Sequence, residues 1–278
     1  MEKIKIITDS CLDIPEELIQ KNDIEVMPVL INFGDESYLD REEININDMQ
    51  EKIEKEGILP TTAQITPARF EEKFREYLDQ GYRIVAVLMS SGMSGTYNSA
   101  CIAKDMIASD DIILIDSQVI TSAQGFFVLK ACELRDKGYT AEEIKEIIER
   151  LIPKMNASLC FESLDNIVRG GRISKAAGAI GTVLGIKVIL GFKDGMMGVK
   201  DKARGSKKAI KKIISDYESS NPNKEEPVML IEIESPEIKA ELKKYLDNNN
   251  VRYIETTPGC AVGIHSGKGA CGLFFLSN

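Results

Sequence analysis

Ser90-Ser91-Gly92-Met93-Ser94-Gly95-Thr96-Tyr97-Asn98-Ser99 follows an apolar run, Ile84-Val85-Ala86-Val87-Leu88-Met89, and leads into Ala100-Cys101-Ile102-Ala103-Lys104, which reads as a helix. A strand that ends in glycines and hydroxyls and then opens a helix aims backbone N–H groups, and the positive end of the helix dipole, at one spot. Such a spot suits a carboxylate or a phosphate. A capped turn without a ligand draws on the same residue types. Here the hydroxyls of Ser90, Ser91, Ser94 and Thr96, with Gly92 and Gly95, exceed what one cap needs.

Outward from this turn the first half of the chain alternates strand and helix. A strand over 3–7 ends in Thr8-Asp9-Ser10, polar groups placed beyond a strand's carboxyl end. A helix starts at Pro15, a strand is predicted over 24–31, and a polar helix runs from Asn47 to near Gly57. Residues 59–65 read as a polar loop. Thr66 caps a helix with Phe70, Phe74, Tyr77 and Leu78 on one face. A strand over 112–115 ends in Asp116-Ser117, a helix spans 121–135, and Thr140 with Glu143 forms a capping box for the next, which Pro153 ends or kinks. This alternation implies a mainly parallel sheet covered on both sides.

Near Met155 the texture changes. Residues 158–161 are strand-like, and Val168-Arg169-Gly170-Gly171-Arg172-Ile173-Ser174 is basic and glycine-rich. Gly178, Gly181 and Gly185 fall at helical spacing, a smooth face for another helix or a slender ligand. A hairpin around Lys193-Asp194-Gly195, a helix over 203–217, a strand over 228–233, a helix over 236–246 and strands over 251–254 and 273–276 follow. The pattern predicts a two-domain α/β protein. Residues 1–155 form a domain with a mainly parallel sheet and 156–278 a smaller mixed α/β domain, and the cleft between them is the expected ligand site.

The 278 residues carry 35 Lys and Arg against 44 Asp and Glu, and the net charge of −9 argues against nucleic acid as the main partner. Residues 160–212 run the other way, with twelve basic and four acidic side chains. That segment suits a phosphate or an acidic partner, or a solvated helix face around Lys207, Lys208, Lys211 and Lys212. No apolar run reaches the ~20 residues of a membrane span, and the N-terminus enters a strand with no signal peptide. One histidine and six scattered cysteines predict a cytoplasmic protein with reduced, buried thiols and no zinc or other metal site.

His265 lies among Gly263, Gly267 and Gly269, which suits an imidazole that donates to an anion or shuttles a proton. Gly92-Met93-Ser94-Gly95-Thr96 approaches the nucleophile elbow of serine hydrolases, with Thr96 in place of the second glycine. A hydrolase of lipid esters acting through Ser94 is therefore an alternative, and a small-carboxylate sensor or enzyme a third. No Gly-Lys-Ser/Thr ends the glycine run, so a P-loop is absent. Arg172 between Gly171 and Ile173 could grip a phosphate or carboxylate, or cap carbonyls in a turn.

Six blocks in order resemble the DegV family of bacterial fatty-acid-binding proteins. They are Thr8-Asp9-Ser10 with Asp13-Ile14-Pro15, Thr62-x-Gln64-x-Thr66-Pro67 with Phe70, the Ser90–Tyr97 turn, Asp116-Ser117, Gly170-Gly171-Arg172-Ile173-Ser174, and Gly263-Ile264-His265-Ser266-Gly267. The resemblance implies two α/β domains with a long-chain fatty acid between them and no other cofactor. Its carboxylate would be held by Thr62, Ser94, the Gly95 amide and His265. Arg172 would stand near the exposed head and Arg204 in a basic region facing the partner, the catalytic subunit of a fatty acid kinase. That subunit would carry the ATP site and form the acyl phosphate that feeds phospholipid synthesis, and the carrier itself would be non-catalytic, with no transmembrane segment and room for transient membrane contact. Ala63 and Ile65 replace the family's usual Ser and Pro beside Thr62. Lys268 replaces a proline after Gly267, which implies a looser loop or an added positive charge.

Overall fold

The computed structural model describes residues 2–173 and 185–278, which fall into two units. The first is the chain to Pro153 together with Gly259–Ala261, and the second is Lys154–Pro258 with Val262–Asn278. Along the first unit run β1 (Ile4–Asp9), α1 (Glu16–Lys21), β2 (Glu25–Met27), β3 (Leu30–Phe33), β4 (Glu36–Leu39), α2 (Ile46–Glu56), β5 (Thr61–Ala63), α3 (Pro67–Asp79), β6 (Arg83–Leu88), α4 (Thr96–Ile107), β7 (Ile112–Asp116), α5 (Ser122–Asp136) and α6 (Ala141–Leu151).

β2, β1, β6 and β7, in that order, form an all-parallel sheet. β1 is buried at every position and β6 at all but its first. Both read as unbroken apolar runs because helices cover the sheet, α3 packing with α4 and α5 with α6. The chain leaves β1 towards β2 on one side and resumes at β6 on the other. The carboxyl ends of β1 and β6 therefore flank the point where strand order reverses, the place where open α/β sheets take ligands.

The strand predicted over 24–31 is two. Pro28 has no N–H for a ladder and parts β2 from β3, which pairs antiparallel with β4 and β5 in a separate sheet. The predicted loop at 59–65 supplies β5, with Thr62 opposite Ile31. β-branched threonines fit a strand, and their polarity hid it.

The second unit runs β8 (Met155–Phe161), α7 (Asp165–Arg169), β9 (Ile186–Lys193), β10 (Met196–Arg204), α8 (Ser206–Ser219), β11 (Val228–Ile233), α9 (Pro236–Asn248), β12 (Tyr253–Thr256), α10 (Cys260–Ser266, whose first two residues belong to the first unit) and β13 (Ala270–Leu276). Its mixed sheet has the order β10-β9-β8-β13-β11-β12, and among these strands only β11 and β12 run parallel. The sequence pattern suggests a smaller sheet than the first. The structure gives this one six described strands to the other's four, because the β9–β10 hairpin extends one edge and β12 the other. α8 and α9 lay Ile213, Tyr217, Leu242 and Leu246 on Ile189, Leu230, Leu273 and Phe275. Each such side chain contributes about 1.5–3 kcal/mol on burial.

The helix predicted from Ala203 begins at Ser206. Ala203 and Arg204 pair with Lys187 and Ile186, and Gly205 at φ 79° then turns the chain. The predicted glycine-faced helix over 176–186 lies largely outside the described residues; Gly185, at its end, stands in a turn at φ 77°.

Candidate functional site

The first unit gathers its polar groups at the ends of β1 and β6. Met89 N–H, just past β6, donates to Asp9 Oδ2 at 2.8 Å, and Cys11 N–H donates to Asp9 Oδ1 at 3.0 Å. Burial raises the Asp9 carboxyl, and these donors work against that rise. From the other flank, Asp116 at the end of β7 accepts from the Ser91 hydroxyl at 2.6 Å and the Ser91 N–H at 3.1 Å. Ser90 O accepts from Met93 and Ser94 N–H at 3.0 and 3.2 Å, which closes the turn. Two carboxylates on strands either side of β6 thus fix the start of the glycine-hydroxyl turn.

α4 begins with Gly95 as its N-cap residue, and no side chain caps it. The N–H groups of its first turn and the dipole behind them suit an anion there. Ser94 Oγ accepts from Thr96 N–H at 3.2 Å and shares a 3.0 Å bond with Thr96 Oγ1. That hydroxyl pair can turn its protons towards a ligand oxygen without leaving the N–H unbonded.

Thr62 lies in β5. Two residues on, Gln64 Nε2 donates to Ser99 Oγ on α4 at 3.0 Å. The Gln64 amide lies against Gly95: a Cβ there would run into Oε1 and stand 2.7 Å from Cδ. A side chain at position 95 would push this amide, the flexible end of Gln64, off its seat. Ile65, at the position of the usual proline, is fully buried and fills the core, and Ala63 pairs with Leu30.

Sequence reasoning missed a second polar network behind the turn. Asp13, fully buried, accepts from Arg41 Nη2 at 2.8 Å, the Thr121 hydroxyl at 2.6 Å and the Gly259 N–H at 2.8 Å. Asp40 accepts from the Ser10 hydroxyl at 2.8 Å and the Cys260 N–H at 3.1 Å. Desolvation pushes the Asp13 carboxyl up to about 6 in spite of Arg41. Asp13 and Thr121 both hold positive φ, at 29° and 60°, a conformation costly for non-glycine residues.

In the second unit, His265 is in the last turn of α10, where a glycine-rich loop was expected. Gly263 is helical, and the glycines at positive φ, Gly267 and Gly269, follow the helix. The imidazole lies on Gly170, where a Cβ would strike Nδ1. Burial first, then the nearby Arg172 and Arg169, lower its pKa to about 4, so the ring is neutral at pH 7. A neutral imidazole still offers one N–H to a carboxylate. Arg172, half-buried, donates from Nη1 to Gly170 O. Arg204 is exposed at the end of β10. Lys268 pairs with Glu234 at 3.1 Å, so its added charge is met within the unit. Thr62, Ser94 and Gly95 thus belong to the first unit, and His265, Arg172 and Arg204 to the second.

Among the described residues, no three His, Cys, Asp or Glu side chains are grouped to hold a metal ion, and no helix is long and apolar enough to cross a membrane.

Fold and turn together define an α/β protein with a parallel sheet in its N-terminal part, a mixed sheet in its C-terminal part, and a helix start that no side chain caps beside a glycine-hydroxyl turn. The chain belongs to the DegV family, whose pattern matches residues 3–278. It is 48% identical over 276 residues to a DegV domain-containing protein of Clostridium perfringens, covering 99% of each chain. Among solved structures it is similar to a DegV family protein from Thermus thermophilus described for fatty acid binding, with a TM-score of 0.90, 27% identity, and 99% and 100% of the two chains covered. It is also similar to DegV of Bacillus subtilis, described as a fatty acid binding protein, with a TM-score of 0.86 and 29% identity over the full length of both.

Proposed function

We propose that this protein binds a long-chain fatty acid and presents it to a separate, ATP-dependent fatty acid kinase subunit for acyl-phosphate formation. The observation that carries the reading is the uncapped, uncharged start of α4, lined by hydroxyls at the switch point of a parallel sheet, in a family whose solved members are described as fatty acid binding. Thr62, Ser94 and the Gly95 amide hold the carboxylate, with His265 as the neutral imidazole donor. Affinity comes mainly from the tail. At ~0.8 kcal/mol per buried CH₂, roughly fifteen methylenes supply on the order of 12 kcal/mol before ordering costs. The head sets direction.

Arg172 and the basic stretch through Arg204 face the kinase and its phosphates, and the carrier works in the cytoplasm without chemistry of its own. Ser94 is engaged with Thr96 on both the main chain and the hydroxyl, and nothing favours it as a hydrolytic nucleophile.

Arg172→Ala tests the division of labour. Fatty acid binding is expected within about threefold of wild type, because in this reading Thr62, Ser94, Gly95 and His265 hold the carboxylate and Arg172 does not. Acyl-phosphate formation, followed with labelled ATP and the kinase subunit, is expected to fall at least tenfold, the loss of one charge-assisted contact. Equal loss of binding and phosphorylation would remove Arg172 from the partner face.

A further inference from the structure

The Gln64 amide occupies a place that neither the turn nor the sheet requires. It is exposed, yet it bonds to Ser99, a residue only 1% exposed, and it lies on the Cα of the residue that opens α4. As placed, Nε2 faces Ser99 Oγ and Oε1 lies on Gly95. A carbonyl oxygen at that point repels an arriving carboxylate. Ser99 Oγ, however, is a hydroxyl that donates or accepts equally well. The amide can therefore turn over and keep its bond, with Oε1 accepting from Ser99 and Nε2 facing the helix start. Ligand-free and ligand-bound states would then use the same two side chains in opposite senses.

We propose that Gln64 is a specificity-determining residue of this site: its amide turns over on Ser99 to give the bound head a second N–H beside the Gly95 amide, and so selects an ionised carboxylate over a neutral head. The proposal rests on the fatty acid reading above. It gives a reason for a glycine at position 95, where φ is −72° and open to any residue but a side chain would move the amide off its seat. The seat is kept for the amide. It also gives the site a donor without a formal charge, in a unit whose Arg41 is committed to Asp13.

Gln64→Glu is the deciding variant, nearly isosteric and able to keep the Ser99 bond by accepting from its hydroxyl. A glutamate cannot present an N–H, so two carboxylates would meet at the helix start. Like charges at that range force one to keep a proton, and binding becomes coupled to proton uptake. The amide's neighbours, Ser99 and Gly95, do not titrate between pH 6 and 8. Tyr97, the titratable group in the first turn of α4, is pushed up to about 12 by burial and Cys101, and stays neutral. Palmitate and hexadecanol affinities are measured by displacement of a fluorescent fatty acid from pH 6 to 8. For Gln64→Glu, the palmitate Kd is expected to rise at least tenfold across that range, while wild type changes less than threefold and hexadecanol binds both alike. A variant profile parallel to wild type, or an equal loss of palmitate and hexadecanol, would overturn the proposal. Failure of the wild-type chain to bind palmitate at any pH would instead overturn the fatty acid reading itself, and this proposal with it.

Discussion

Asp13→Ala is expected to destabilise the first unit by about 3 kcal/mol or more, the usual cost of removing one partner of a buried ion pair. Asp13 is wholly buried and ties four separate places: its own turn after β1, Arg41, Thr121 before α5, and Gly259. Truncation leaves the guanidinium short of its closest carboxylate and orphans the Thr121 hydroxyl and the Gly259 N–H. Urea or thermal unfolding measures the loss, and a change below ~1 kcal/mol would contradict this account of the network.

The same residue sets a pH dependence with a definite sign. Its carboxyl stands near 6 in the folded chain, raised by burial from a reference value of about 3.9. The folded state therefore binds this proton more tightly than the unfolded state. The stabilisation is fully present below pH ~4 and is lost as pH rises through ~6. Asn cannot titrate, so the stability difference between wild type and Asp13→Asn is expected to fall by up to ~3 kcal/mol over that window and to be level above it. A difference that rises with pH would mean that Arg41 outweighs desolvation and holds the carboxylate ionised.

Replacing Thr62 and Ser94 together by alanine is expected to weaken palmitate binding by roughly 100-fold or more. Hydrogen bonds to a charged group contribute about 1.5–3 kcal/mol each, and every 1.4 kcal/mol is tenfold. Methyl palmitate keeps the tail and lacks the charge, so its affinity is expected to change by less than about fivefold. Residual palmitate binding should persist, because the methylenes supply most of the free energy. Isothermal titration with both ligands separates head from tail. Equal losses for acid and ester would place the head elsewhere.

The parallel sheet was legible from the sequence because buried strands announce themselves as unbroken apolar runs, as in Ile84–Leu88, and because Ser, Thr and Gly mark the turn that follows. Thr62 was harder. A polar strand of three residues at a sheet edge, Thr61–Ala63, carries no apolar alternation and looks like a loop. Pro28 could have warned that 24–31 breaks, since a proline forfeits the ladder N–H. The buried acids were beyond reach for another reason. Asp13 meets Arg41, Thr121 and Gly259 across separations of 28, 108 and 246 residues, and no local pattern records such meetings. The seat of Gln64 on Gly95, like that of His265 on Gly170, leaves only a glycine in the sequence. A glycine alone does not say which side chain needs its space.

Native mass spectrometry of the purified protein, followed by organic extraction, tests the carrier reading most directly. The account predicts a stoichiometric long-chain fatty acid that leaves on denaturation, or full uptake of one equivalent of added palmitate or oleate. A protein that carries no lipid and takes up neither acid would contradict it.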